Sequence, residues 1–198
     1  MNEPTGLLPR EWYRRDVVEV ARDLVGRYIR RDQVVLRITE VEAYNGPVDS
    51  ASHTSKGRTP RNAPMWGSGG HAYVYLCYGI HNMLNVVTGN AEGKAVLIRS
   101  AEIVEGEAVV RARRKGLAGP GLLTGPGKLG QALDLSTDWS GHSFFEPGGL
   151  EILGGTPARK LLRGARVGIQ YARPKDIRAR YRFADADSVW VSHRSKLR

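Results

Sequence analysis

Apolar residues along this chain switch between two periods. In "RDVVEVARDLV", residues 15–25, Val17, Val18, Ala21, Leu24 and Val25 recur at helical spacing. Asp16 stands where an N-cap oxygen is wanted, and Gly26 where the chain must leave the helix. From Tyr28 the pattern alternates, and "RYIRRDQVVLRITEVEAY" predicts two strands around a tight turn near Asp32. "AYVYLCYGIHNMLNVVT", residues 72–88, predicts a β-hairpin turning near Gly79, and "AVLIRSAEI" predicts a further strand. A helix over "EGEAVVRARRKGL" follows, with Arg111, Arg113, Arg114 and Lys115 at its C-terminal end, where cations suit the helix dipole. A Gly-rich run, residues 116–130, leads into a helix over "KLGQALDL"; from "GLEIL" to "SVWVS" short strands and turns alternate. Residues 45–70, rich in Gly, Pro, Ser and Asn, predict a long loop of the kind that in a compact domain goes with function.

Together these elements predict a single α+β domain over residues 1–198. It is a curved, mostly antiparallel sheet with surrounding helices and a protruding hairpin, flexible at 1–14 and 193–198. The 41% hydrophobic content is enough for one sizeable core. No run approaches the length of a membrane span, and no basic-then-apolar leader opens the chain, so neither anchor nor secretion signal is expected. The lone cysteine, Cys77, excludes an intramolecular disulfide and suits a reducing cytoplasm. Set in the apolar run "YVYLCYG", it is expected to be a buried, inert thiol. Charge adds more: Lys and Arg number 30 against 20 Asp and Glu, for a net +10. Such an excess favours polyanionic partners, nucleic acid first and an anionic membrane surface second.

Several chemistries are excluded. The five histidines fall at no metal-ligand spacing and no cysteine pair exists, so no metal site is expected. The Gly-rich run fails as a phosphate loop, because Leu122 replaces the first glycine and Leu129 follows Lys128. Lys128 itself belongs to the start of a helix. The carboxylates are more telling. On an extended strand Glu40, Glu42 and Tyr44 share a face. Glu40 reads as a solvated edge-strand acid or an ion-paired one. Glu42 stays open between that and a general base beside an aromatic ring. In the hairpin Tyr73 and Tyr75 share one face, Val74 and Leu76 the other, as core pairs often do. Tyr78, at the tip, has little core to enter and in a basic protein suits a wedge between stacked bases. The loop "SKGRTPRN" adds Lys56, Arg58 and Arg61, for phosphates or for solubility.

"EVEAYNGPVDSASH", "GRTPRN", "YVYLCYGIHNMLNV", "VLIRSAEIVEG" and "GPGKLGQAL", with "RVGI" and "YRF…VWVS", together resemble the alkyladenine (3-methyladenine) DNA glycosylases of the vertebrate type. The resemblance runs from Asp16 to Val191. It implies an enzyme of base-excision repair that flips alkylated purines out of duplex DNA and hydrolyses the N-glycosidic bond, leaving an abasic site. Under it Glu42 activates the water and Arg99 helps hold it. Tyr44 and Tyr75 sandwich the flipped purine, with His53 and the backbone at Ala51 on its edge. Asn85 crowds the exocyclic amine of guanine, and Tyr78 fills the gap left in the duplex. Arg58, Thr59, Arg61, Ile80 and His81 are the implied DNA contacts. No lysine nucleophile, metal or cofactor is implied, so the enzyme is expected to be monofunctional. Its expected partner is double-stranded DNA carrying alkylated or deaminated purines. The expected form is a monomer, cytoplasmic and nucleoid-associated, of compact prokaryotic type. His81 and Asn82 depart from the aromatic residues of better-known relatives. The rival readings are a non-catalytic module that binds distorted DNA and a glycosidase acting on another nucleic acid.

Overall fold

A computed structural model describes residues 4–198. Its centre is β2 (Val34–Tyr44), whose eleven residues are almost all buried, on both faces. A strand that reads apolar nearly throughout has elements on each side. Along one edge β2 pairs with β5 (Lys94–Glu105) for nearly its whole length. The other edge is divided: β1 (Tyr28–Arg31) covers Val34–Arg37, and β8 (Arg182–Asp185) covers Glu40–Glu42. Beyond β5 lie β4 (His81–Thr88) and then β3 (Ala72–Cys77). Beyond β1 lies β6 (Glu151–Leu153), and β7 (Leu161–Gly164) pairs with β8. All eight strands pair antiparallel, giving the expected α+β architecture. Register shifts at Val35/Leu36 and around Glu40 mark irregularities in the β2–β5 ladder; bulges of this kind bend a sheet and re-aim side chains.

The helices are short. Helix α1 (Val17–Leu24) is capped by Asp16, whose Oδ1 accepts from the amides of Val18 at 2.8 Å and Glu19 at 3.2 Å. The first turn sits between β1 and β2 at Asp32 (φ 51°), as the pattern predicted. Helix α2 (Glu107–Arg113) ends in its cations. Helix α3 starts earlier than expected, over Pro126–Ala132, because proline suits the first helical position. It lies against β4 so closely that a Cβ on Gly130 would stand 1.9 Å from the Asn82 carbonyl oxygen, and one on Gly127 2.7 Å from the His81 ring. The glycines of "GPGKLG" therefore permit helix–strand contact. Among the described residues no helix is long and apolar enough to cross a membrane.

Several segments differ from the expectation. The stretch 45–70 is tied down by two 3₁₀ turns, Gly46–Val48 and Ala63–Trp66, and by the buried polar side chains of Asp49, Thr54 and Asn62. Asn62 alone donates to the carbonyls of His53 and Gly57 at 2.9 and 3.0 Å. A fourth helix, α4 (Pro174–Arg178), appears where only turns were expected. "SVWVS" is not a strand; it crosses irregularly so that Ser192 reaches the interior. The ends, expected to be loose, are packed. Residues 1–3 of the 1–14 segment lie outside the described residues, but Leu7 bridges to Leu153 and Tyr13 is fully buried. In 193–198, Leu197 is buried and Arg198 exchanges two backbone hydrogen bonds with Arg163. Long-range partners of this kind leave no trace in local composition.

Candidate active site

A cleft of about 550 Å³ opens where β2, the β3–β4 hairpin, the 45–70 segment and the 166–171 segment meet. Its walls are largely aromatic. Tyr44, at the end of β2, has the Arg166 guanidinium 4.7 Å from its ring centroid. Arg166 is locked in turn by two bonds to Asp49, one of 2.9 Å to Oδ1, and by a 2.9 Å bond to the Ala43 carbonyl. Across the cleft Tyr75 and Tyr73 lie 5.5 Å apart, with the His53 ring edge-on to Tyr75 at 4.6 Å. The Arg61 guanidinium covers Tyr75 at 5.4 Å. His53 Nδ1 and the Tyr73 hydroxyl share a 2.9 Å hydrogen bond. Burial first, and Arg61 second, push the His53 pKa below its ordinary value, so the ring is neutral near neutral pH. Burial pushes the Tyr73 hydroxyl up to about 12, and Tyr75 is raised for the same reason.

The floor is a carboxylate–guanidinium lattice. Arg99, on β5, faces the cleft and joins both acids of β2: its Nε donates to Glu40 at 2.7 Å and its Nη1 stands 3.3 Å from Glu42. Glu42 is sealed just beneath the floor. Its Oε2 accepts from the Tyr44 hydroxyl at 2.9 Å and its Oε1 from the Val167 amide at 2.8 Å. Burial, reinforced by Glu42, holds the Tyr44 phenol well above its ordinary pKa, so it remains a neutral donor. Burial disfavours a charged Arg99, but Glu42 and Glu40 outweigh it and keep the guanidinium ionised.

Glu40 is neither on an edge nor solvated. It is fully buried in a central strand and bonded to Arg99 and Arg182, each at 2.7 Å, to Ser100 Oγ at 2.8 Å, and to the Ser192 amide and hydroxyl at 2.7 and 2.9 Å. The ion-paired half of its sequence reading describes it; the solvated half is corrected. Burial opposes its ionisation, yet the two guanidiniums hold its carboxyl below the ordinary range.

Of the residues singled out from sequence, Tyr44, Ala51, His53, Arg61, Tyr75, Tyr78, Asn85 and Arg99 all line this one cleft, with Glu42 directly behind it. Asn85 gives its amide protons to the carbonyls of Tyr73 at 3.1 Å and Met83 at 3.3 Å, which turns its oxygen away from both. Tyr78 projects from the hairpin tip with 92% of its surface free. The turn is built for it: Tyr78 (φ 50°) and Gly79 (φ 71°) both lie in the left-handed region, as a tight hairpin turn of primed type requires. Ile80 and His81 are exposed beside it, outside the cleft. Arg58 and Thr59 are exposed on the neighbouring loop, where Thr59 and Asn62 exchange hydrogen bonds. Cys77 is a correction: it shares the face of Tyr73 and Tyr75, is partly exposed and lines the cleft rather than lying inert in the core. Sequence reasoning missed Asp49, Arg166 and Tyr171. The only signal for them was the short "RVGI" block, since an Arg and a Tyr in an aperiodic segment carry no local mark of what they will meet. Among the described residues no group of three or more His, Cys, Asp or Glu converges as metal ligands would.

An open antiparallel sheet bearing a basic, aromatic-walled cleft with buried acids at its floor defines an α+β protein with a small-ligand site. Comparison makes the class specific. The sequence model described as Methylpurine-DNA glycosylase (MPG) matches residues 11–189, and the chain belongs to that family. A protein of Nitrosococcus oceani named "Putative 3-methyladenine DNA glycosylase" is 55% identical over 194 residues, covering 98% of this chain and 96% of its own. The "DNA-3-methyladenine glycosylase" of Arabidopsis thaliana is 55% identical over 190 residues, covering 94% of this chain and 74% of its own. A Methanocella arvoryzae protein bearing the same name as the first is 42% identical over 195 residues.

Proposed function

We propose that the protein is a monofunctional DNA-3-methyladenine glycosylase of base-excision repair, which extrudes alkylated purines from duplex DNA and hydrolyses the N-glycosidic bond with a Glu42-activated water. The observation that carries this reading is the sealed Glu42 carboxylate, tied to Arg99 at the floor of an aromatic cleft large enough for a purine. Family membership and the names of the relatives supply the DNA glycosylase class.

The steps follow from the parts. Extruding a base costs a few kcal/mol, least where damage has weakened pairing or stacking. Tyr78 and its exposed neighbour Ile80 enter the stack to replace the lost base, while His81, Arg58, Thr59 and Arg61 face the backbone. The flipped purine lies between Tyr44 and Tyr75, its edges against Ala51, His53 and Asn85. Alkylation at N3 or N7 makes the ring cationic, which weakens the glycosidic bond and strengthens stacking on tyrosine. A water above Arg99 loses its proton to Glu42 as it attacks the sugar, and the purine departs with the bonding electrons, neutralising its own charge. Arg99 keeps Glu42 ionised, and the Tyr44 hydroxyl keeps it oriented. No lysine stands at the floor to form an imine, so an abasic site is the product. The enzyme acts as a monomer on chromosomal DNA.

The test is release of methylated bases from alkylated duplex DNA by wild type and by Glu42→Gln. Loss of a general base lowers a rate by about 10²–10⁴-fold. The variant is expected to fall at least about 100-fold while still binding the duplex. Equal release by both would remove Glu42 from the mechanism, and tight binding without release by either would make the protein a binding module.

A further inference from the structure

Tyr171 lines the mouth of the cleft with 71% of its surface free, an unusual setting for a tyrosine that also makes a well-formed hydrogen bond. Its hydroxyl donates to the carbonyl oxygen of Ala51 at 3.0 Å. The ring is placed by a rigid support. Ala172 and Ile169 pack with Ala51 in one small apolar cluster. Arg173 gives its amide to Ser50 Oγ at 2.8 Å and its guanidinium to the Val48 carbonyl at 2.6 Å. The phenol is therefore fixed while its proton can still rotate.

The polarity of this wall has a simple consequence. The Ala51 amide is turned away and donates to Asp49 Oδ1 at 3.1 Å, so the backbone offers the cleft only a carbonyl acceptor. The Tyr73 hydroxyl is engaged with His53. A purine edge carrying an amino group meets acceptors here and is satisfied. An edge carrying an oxo group meets two lone-pair-bearing oxygens, unless the Tyr171 proton swings from Ala51 to the base.

We infer that Tyr171 is a specificity-determining residue of this site, whose hydroxyl decides how well the cleft takes oxo-bearing as against amino-bearing purines. The inference rests on the glycosylase reading above. Tyr171→Phe frees the Ala51 carbonyl for an amino edge and removes the donor available to an oxo edge. Both changes move selectivity the same way.

Methylated duplex DNA tests this in one tube, since it carries both 3-methyladenine, with an amino group at position 6, and 7-methylguanine, with an oxo group there. The ratio of the two bases released is compared for wild type and Tyr171→Phe, with hypoxanthine duplexes as a second oxo substrate. The ratio is expected to rise about fivefold to tenfold, the fold-change of one hydrogen bond. A merely structural role would lower release of all bases together and leave the ratio alone. An unchanged or reduced ratio, or a wild type that releases 3-methyladenine but no oxo purine, overturns the inference while leaving the glycosylase standing. No release of any base by wild type would instead overturn the function itself.

Discussion

Replacing Glu40 by Gln takes one charge from the centre of the sheet and leaves two guanidinium groups facing an amide. In the wild type, Oε1 accepts from Arg99, Arg182 and the Ser192 hydroxyl, and Oε2 from Ser100 and the Ser192 amide. A glutamine side chain offers an acceptor at one of those positions and sets an NH₂ against donors at the other. Removing one partner of a buried ion pair costs about 3–5 kcal/mol, because the remaining charge stays buried and uncompensated. Set against a total stability of about 5–15 kcal/mol, that is a large share. For a chain of this size it corresponds to a fall in Tm of about 10–15 °C. Urea unfolding at pH 7, followed by tryptophan fluorescence, measures it. Glu102→Gln is the comparator, since that acid pairs with Arg37 at 3.1 Å in a partly exposed setting worth under about 1 kcal/mol. The pH dependence has a definite sign. The folded carboxyl of Glu40 titrates below its ordinary 4.5, so the unfolded chain takes up the proton first. Its stabilisation is complete above that value and is lost as pH falls through the folded pKa. Wild type and E40Q should therefore converge in acid. A loss no larger than that of Glu102→Gln, or a gap that widens in acid, would refute the reasoning.

The remaining predictions concern the hairpin, the helix contact and the histidine. Tyr78→Ala, at a tip with almost no contacts, should change stability by less than about 0.5 kcal/mol yet weaken binding to duplex DNA several-fold; equal binding by gel shift would remove Tyr78 from the interface. Gly130→Ala should lower stability by about 1–3 kcal/mol, since the new methyl meets the Asn82 carbonyl. Gly121→Ala, with nothing within 4 Å, should be close to neutral in the same denaturation series, and equal losses would contradict the close approach of α3 to β4. His53, with its pKa held below 6.5, should leave base release unaffected as pH falls to that value and protonate only beneath it; an NMR titration of its ring at or above 6.5 would contradict the assigned environment.

The parts legible in the sequence share one property: their cause is local. Asp16 caps α1 from one residue away, Asp32 and Gly79 turn chains that pair with themselves, and alternation marks β2, β3 and β4. Tyr44, Tyr75, His53 and Asn85 were found because a family resemblance tied their blocks together, and all line one cleft. What stayed hidden depends on distant partners. Glu40 looked like an edge acid because the residues that neutralise it lie 59, 142 and 152 positions away. Arg166 stacks on a ring more than a hundred residues earlier. The glycines of "GPGKLG" suggested phosphate chemistry, although two of them serve close contact with β4.

That dependence on distance also bears on how the protein acquires its site. The lattice beneath the cleft joins β2, β5, β8 and the crossing at Ser192, so closing it brings together segments separated by most of the chain. Contacts of such high order form slowly, after the entropy of closing large loops has been lost. Until the last segment arrives, either acids or guanidiniums stand in the interior without a counter-charge, a state too costly to accumulate. Partly folded forms should therefore carry no trace of the catalytic floor. On refolding from urea, recovery of glycosylase activity should follow the same single exponential as burial of the core, with no faster phase.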